Sequence, residues 1–308
     1  MKHEHVPVLC ERVVELLAQG PAEVVVDATV GLGGHTEALL QALPGLQVVG
    51  LDVDAQALEL AAERLRPFAD RVRLVRGSYA RVDACLHDLG LDRVSGILLD
   101  LGVSSLQIDA TQRGFSYMHD GPLDMRMDPA MPRTAADLIN RASEDEMTHV
   151  FRTYGEERWA RRIAQAIVRR RRDADLRTTS ELAKVIRSCI SGRKPVSTLA
   201  RVFQGVRMWV NGEMENLREG LGRSLGVLAP GSILVVLGYH SLEDRMVKQF
   251  FRQQVQGCVC PPDLPHCACG FVAEFRLLTR RALRPSEAEQ RDNVRARSAR
   301  LRALQRVG

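Results

Sequence analysis

The apolar run Val24-Val25-Val26 ends in an acid, Asp27, and soon breaks into Gly31-Leu32-Gly33-Gly34. A helical pattern follows from about Thr36 to Leu43 and stops at Pro44-Gly45. A short, unbroken apolar run reads as a strand buried on both faces. The pattern recurs at Gln47–Asp52, at Arg71–Arg76 before Gly77-Ser78-Tyr79, and at Gly96–Gly102. Helical patterns over 55–66 and 82–89 separate these runs. Such alternation predicts a parallel sheet with right-handed crossovers. Ligands of open α/β sheets bind outside the carboxyl ends of the strands. Asp27, Asp52, Tyr79 and Asp100 all fall at or just past such ends.

The alternation then stops. Residues 109–132 read as loop, with Arg113-Gly114-Phe115 and a stretch from Asp120 to Asp128 rich in turn residues. From Thr134 to about Ala200 the periodicity is helical only, and Ser143-Glu144-Asp145-Glu146 has the form of a capping box. The α/β pattern resumes with a helix over Val202–Leu221 and a fifth strand over Gly231–Leu237. That strand ends in Gly238-Tyr239-His240-Ser241-Leu242-Glu243. Further strands are expected over 271–279 and 293–302. The expected organisation is an α/β domain of residues 1–108 and 201–308, interrupted by a helical insert of residues 109–200.

The first loop selects among cofactors. A dinucleotide fingerprint requires glycine at position 36, where the chain has Thr36. The S-adenosylmethionine version, an acid followed by alternating glycines, fits Asp27, Gly31 and Gly33, with Thr29 in place of the first glycine. Asp52 lies 21 positions beyond Gly31, where this fold receives ribose hydroxyls. Asp54 precedes Ala55–Leu60 and reads as a helix N-cap.

Composition adds a partner class and removes others. The net charge is +5, and only four basic residues are lysine (Lys2, Lys184, Lys194, Lys248), so arginine carries the charge. A basic excess suits nucleic acid, although solvated helix faces account for it equally well. No apolar run approaches a membrane span and the N-terminus has no signal-type core, so a cytoplasmic location is expected. Seven cysteines, an odd number, argue against a disulfide framework. Cys258, Cys260, Cys267 and Cys269 form two C-x-C pairs, which suit either a closed structural zinc site or a loop with free thiols. No catalytic metal is expected.

Several stretches together resemble one family. They are Gly33-Gly34-His35, Leu98–Ser105, Arg113–Ser116, Asp120–Asp128, Tyr154–Arg158, Val206–Asn211 and His240–Arg245. The chain is similar in these to the small-subunit ribosomal RNA cytosine N4-methyltransferases (the MraW/RsmH family), from His5 to Ser298. The resemblance implies a Rossmann-like class I S-adenosylmethionine-dependent methyltransferase fold with a helical insert that helps hold the substrate. It implies methylation of the exocyclic amine of one cytidine in the decoding region of the RNA. It further implies cofactor contacts from Gly33, Gly34, His35, Asp52, Tyr79, Asp100 and Gln107. Phenylalanine is commoner in the family at Tyr79, and proline at Leu106.

Amine methylation needs no covalent intermediate; it needs the amine held in line with the methyl and a hydrogen-bond acceptor for its N–H. Asp100 is the candidate acceptor and His240 the second polar group, unless His240 simply pairs with Glu243 or Asp244. Phe115, Tyr117, Tyr239 and Trp209 are the candidates for stacking a base, with Trp209 equally suited to a core. Arg161, Arg162 and Arg169 to Arg172 are candidates for phosphates. The resemblance implies small-subunit ribosomal RNA as partner; the helical insert adds a reason to expect recognition within an assembled particle, since a small base needs only a pocket, and the basic balance disfavours a protein or small-molecule substrate. A methyltransferase acting on protein or a small molecule, a non-catalytic RNA-binding factor, and a nicotinamide oxidoreductase are the alternatives.

Overall fold

A computed structural model describes residues 7–190, 195–256 and 273–307. The cysteine pairs from Cys258 to Cys269 lie outside these residues. The chain divides into two compact units, Met1–Gly102 with Asn216–Gly308, and Val103–Glu215.

The first unit is built on a seven-stranded sheet: β1 (Val24–Asp27), β2 (Gln47–Asp52), β3 (Val72–Arg76), β4 (Val94–Asp100), β5 (Leu228–Gly238), β6 (Phe275–Leu277) and β7 (Arg300–Arg306). The spatial order is β3-β2-β1-β4-β5-β7-β6. Strands β1 to β5 run parallel, and β7 is antiparallel to both β5 and β6. This is a doubly wound α/β sheet with an antiparallel last pair of strands, and it fits the Rossmann-like fold that the resemblance implies. Side chains along each strand alternate between two cores. Val25, Leu98, Ile233, Val235 and Leu237 join one, beneath the helices Cys10–Leu17 and Gly34–Ala42. Val26, Ile97, Leu99, Leu234 and Val236 join the other, with Val82, Leu86, Leu217, Leu221, Val247 and Phe251. Both faces are covered, which is why β1 and β4 read as unbroken apolar runs. The strand order reverses between β1 and β4, and a ligand crevice is expected at that point.

The second unit is helical. Five helices, Ala135–Arg141, Glu144–Thr153, Ala160–Arg170, Thr179–Cys189 and Pro195–Asn211, bury Met147, Phe151, Ile163, Ile167, Leu182, Ile186, Val202 and Val206 in one core. Thr134 with Asp137 and Thr178 with Glu181 form capping boxes, and Ser143 Oγ accepts from the Glu146 N–H. The segment before them, which reads as loop, is closely pinned. Arg113 donates to the carbonyls of Arg126 and Met127, and Arg126 grips the Asp124 carboxylate at 2.7 and 2.8 Å. Gly114 sits at φ +70°, and a Cβ there would fall 1.9 Å from the Pro122 carbonyl oxygen. Only glycine fits.

The expected boundary at 200/201 is displaced. The pattern over 202–221 is two helices, Pro195–Asn211 and Glu213–Val227, separated at Gly212 with φ +59°. A left-handed glycine ends the first helix. That helix belongs to the helical unit, because Val202, Val206 and Val210 lie in its core. The other junction falls at Gly102/Val103 instead of 108/109. The last strand also begins later than expected, at Arg300, after a short 3-10 turn over Val294–Ser298.

Candidate active site at the strand tips

The carboxyl ends of β1, β2, β4 and β5 carry Asp27, Asp52, Asp100 and Tyr239, the last just past Gly238. Each acid has a different surrounding.

Asp27 is buried and braced. Thr36 Oγ1 donates to its Oδ2 at 2.7 Å, so the residue that breaks the dinucleotide fingerprint ties the helix Gly34–Ala42 to the end of β1. Burial raises the Asp27 carboxyl to about 6 against the opposing pull of His35 and Thr36. Asp52 holds the glycine turn: Gly31 N–H donates to Oδ2 and Asp54 N–H to Oδ1, both at 2.9 Å. Burial raises this carboxyl too. Asp54 Oδ1 accepts from the Gln56 N–H, the N-cap read from the sequence.

The turn itself uses its glycines in different ways. Gly31 and Gly33 adopt φ +50° and +78°. A Cβ on Gly31 would meet nothing nearer than the Thr29 carbonyl oxygen at 3.9 Å, so that flank is open. A Cβ on Gly34 would stand 2.5 Å from Pro7. Packing against Pro7 therefore requires glycine at position 34.

Asp100 is the most constrained of the acids. Its N–H donates to Thr29 Oγ1 at 2.6 Å, and the Tyr239 hydroxyl donates to its Oδ1 at 2.7 Å. His35 Nε2 stands 3.4 Å from its Oδ2, an ion pair without a well-aligned hydrogen bond. Burial alone would lower the His35 imidazole; Asp100, Cys10 and Asp27 outweigh it and raise it to about 10. Burial and then Asp100 push the Tyr239 phenol well above its ordinary value, so it remains a donor. Tyr239 is thus tied to Asp100 through its hydroxyl.

Three expected site residues have other employment. His35 is 6% exposed and lies under Asp100, so it acts on the site through that carboxylate. His240 caps the helix Ser241–Val255: its Nδ1 accepts from the Glu243 N–H, and its Nε2 lies 3.1 Å from Glu243 Oε1. Glu243 Oε2 in turn accepts from the N–H groups of Tyr239 and His240. Both ring nitrogens face Glu243, so the pairing role, and not proton abstraction, accounts for His240. Gln107 belongs to the helical unit, where its Oε1 accepts from the Ser104 N–H in a capping box around Ser105–Asp109. Tyr79 opens a 3-10 turn after β3. One edge of its ring lies where a Cβ on Gly220 would come within 2.6 Å.

Sequence reasoning missed Thr29 and Thr36 as braces, and read Tyr239 as a stacking group. No local signal marked Tyr239, because it meets Asp100 only through the pairing of β5 with β4, in which Leu237 lies opposite Asp100.

The chain matches the model of the MraW methylase family over residues 2–307. The chain belongs to the MraW methylase family. It is 50% identical over 308 residues to the Ribosomal RNA small subunit methyltransferase H of Syntrophotalea carbinolica, covering 99% of this chain and 98% of that one. It is 51% identical over 312 residues to the protein of the same name from Thermobifida fusca, covering 98% and 93%. A third, from Heliobacterium modesticaldum, is 47% identical over the whole of both chains. The methyl donor is S-adenosylmethionine, and the strand tips suit it. Carboxylates at Asp52 and Asp100 favour a ribose diol and a cationic sulfonium, and disfavour a pyrophosphate. The open flank at Gly31 leaves room for a ligand against the backbone.

No helix among the described residues is long and apolar enough to cross a membrane.

Proposed function

We propose that this methylase transfers a methyl group to the exocyclic N4 amine of a cytidine in the decoding region of small-subunit ribosomal RNA, within an assembled particle in the cytoplasm. The carrying observation is Asp100 at the tip of β4, whose carboxylate is held by the Tyr239 hydroxyl on one oxygen and by His35 on the other, and whose backbone N–H is tied to Thr29. The names of the relatives and the resemblance of the motifs supply the RNA. Asp52 holds the ribose, the turn at Gly31 and Gly33 passes along the ligand, and Tyr79 packs on the adenine. When bound, S-adenosylmethionine supplies an electrophilic methyl whose carbon–sulfur bond breaks as the carbon–nitrogen bond forms.

The amine lone pair of cytosine is delocalised into the ring, so orientation governs the rate. Asp100 accepts a hydrogen bond from the N4–H, turns the lone pair toward the methyl, and takes the proton that the alkylated nitrogen sheds. Such a nitrogen is acidic, so a weakly basic carboxylate suffices. Tyr239 and cationic His35 keep the Asp100 oxygens from rotating away. Preorganisation of this kind contributes up to about 7–11 kcal/mol in good model systems.

Mass spectrometry of nucleosides, after reaction with particles lacking the modification, is the test. Methyl on cytosine C5 or on protein would reject the reading. Asp52→Ala should weaken cofactor binding by about 1.5–3 kcal/mol, the range for hydrogen bonds to a charged group, as read by calorimetry.

A further inference from the structure

The helical unit exposes one large aromatic residue among arginines. Trp159 is 38% exposed and stands at the N-terminus of the helix Ala160–Arg170. Its backbone is held firmly. The Trp159 N–H donates to Glu157 Oε1 at 2.9 Å, and Glu157 is itself buried and paired with Arg201 at 3.3 Å. The Arg158 and Arg162 guanidinium carbons lie 5.3 and 5.9 Å from the indole centroid. Arg169, seven positions beyond Arg162, shares its helix face and is exposed. Arg158, Arg162 and Arg169 have no acidic partner among the described residues, whereas Arg161 on the adjacent face is paired with Glu144.

Solvent exposure of an indole is unfavourable, and two of these unpaired cations, Arg158 and Arg162, crowd against it. A single occupant relieves both. Single-stranded nucleic acid offers π-faces to stack and phosphates to neutralise cations, and sites for it combine aromatic platforms with arginines. We propose that Trp159 is a stacking platform for an unpaired nucleotide of the substrate RNA, with Arg158, Arg162 and Arg169 meeting the flanking phosphates. This rests on the RNA reading above and deepens it. An acidic protein surface would satisfy the arginines but has no preference for the indole face.

The test uses the full chain labelled with 5-fluorotryptophan. Its two tryptophans give two fluorine resonances, assigned with the Trp159→Leu variant. Single-stranded oligocytidylate should shift the Trp159 resonance, and a duplex of the same length should not. Trp159→Leu should lose at least about five-fold in affinity for the oligonucleotide, while Trp159→Phe keeps most of it. S-adenosylmethionine affinity serves as the folding control for both variants. An unmoved Trp159 resonance, or unchanged affinity in Trp159→Leu, overturns the platform, as does a shift caused only by ribosomal protein. Methyl found on N4 with an unmoved Trp159 would sink the platform and leave the functional reading standing. A shifted Trp159 with methyl found on protein would do the reverse.

Discussion

The two units use their polar motif residues in opposite ways. In the sheet unit, Asp52 and Asp100 gather at strand ends, bound largely by backbone N–H groups and by Tyr239, around one crevice. In the helical unit, Arg113, Asp124, Arg126 and Asn211 are consumed by their own chain. Asn211 alone accepts from the Met127 N–H and donates to the carbonyls of Met125 and Arg207, each within 2.9 Å. The family motifs therefore mix two kinds of residue. Some present chemistry, and others replace a regular ladder in a segment that has none. A string of charged residues in a loop is not by itself a site, because buried backbone groups must be satisfied by something.

The largest effect should separate the two kinds. Asp100→Ala should lower kcat by at least about a thousand-fold, since both the amine acceptor and its orientation are lost. The melting temperature should fall as well, because His35 and the Tyr239 hydroxyl lose their partner, so turnover is compared at a temperature where the variant is folded. Single-turnover assays and calorimetry check this, and retained turnover would return Asp100 to a purely structural role. Asn211→Ala should do the opposite. It removes three buried hydrogen bonds and leaves the Met125 and Met127 backbone groups unpaired, costing about 2–4 kcal/mol of stability. Cofactor affinity should hold. Denaturant titration would reveal a smaller loss if water enters the gap.

Acid–base behaviour sharpens the contrast further. His35, raised to about 10, keeps a proton that the unfolded chain releases near 6.5. The folded state then binds more protons than the unfolded state. Stability from this group is full below pH 6.5 and declines as pH rises toward 10. The slope should reach about 1.4 kcal/mol per pH unit at most. His35→Gln should flatten that decline while leaving the helical unit unaffected. Equal slopes in both proteins would show that His35 is neutral beneath Asp100.

Much of the sheet unit was legible because its signals are local. Apolar runs with polar tips mark the strands, and an acid at the tip of β2 has one position in which to act. Thr36 on Asp27 and Tyr239 on Asp100 were not legible in this way. The second pair is 139 positions apart, and only the sheet order brings it together. Gln107 and His240 were legible in a second way, as parts of helix caps. Ser104-x-x-Gln107 and His240-x-x-Glu243 both have the spacing of a cap followed by an N3 acceptor. The packing that requires Gly34 was not legible either, since its neighbour Pro7 is distant from the turn in sequence and close in space.

The smallest expected effect lies within the arginine run 169–172, which reads in sequence as one cationic patch. The structure splits it. Arg171 donates to the carbonyls of Ile139 and Ala142 at 2.8 and 2.7 Å, closing the end of the helix Ala135–Arg141. Arg170 donates to the Ala174 carbonyl at 3.1 Å. Arg169 and Arg172 are exposed. Reversing all four to glutamate would confuse a fold defect with a binding defect, because the two Arg171 acceptors would be stranded. Arg169→Glu with Arg172→Glu should instead weaken RNA binding by a few-fold and reduce the salt slope by about 0.7 for each single-strand phosphate no longer neutralised. Arg171→Ala should lower stability by about 1–3 kcal/mol with the salt slope unchanged. If both variants shift the slope equally, Arg171 also reaches phosphate, and the division between residues that build the helical unit and residues that face its partner fails at this point.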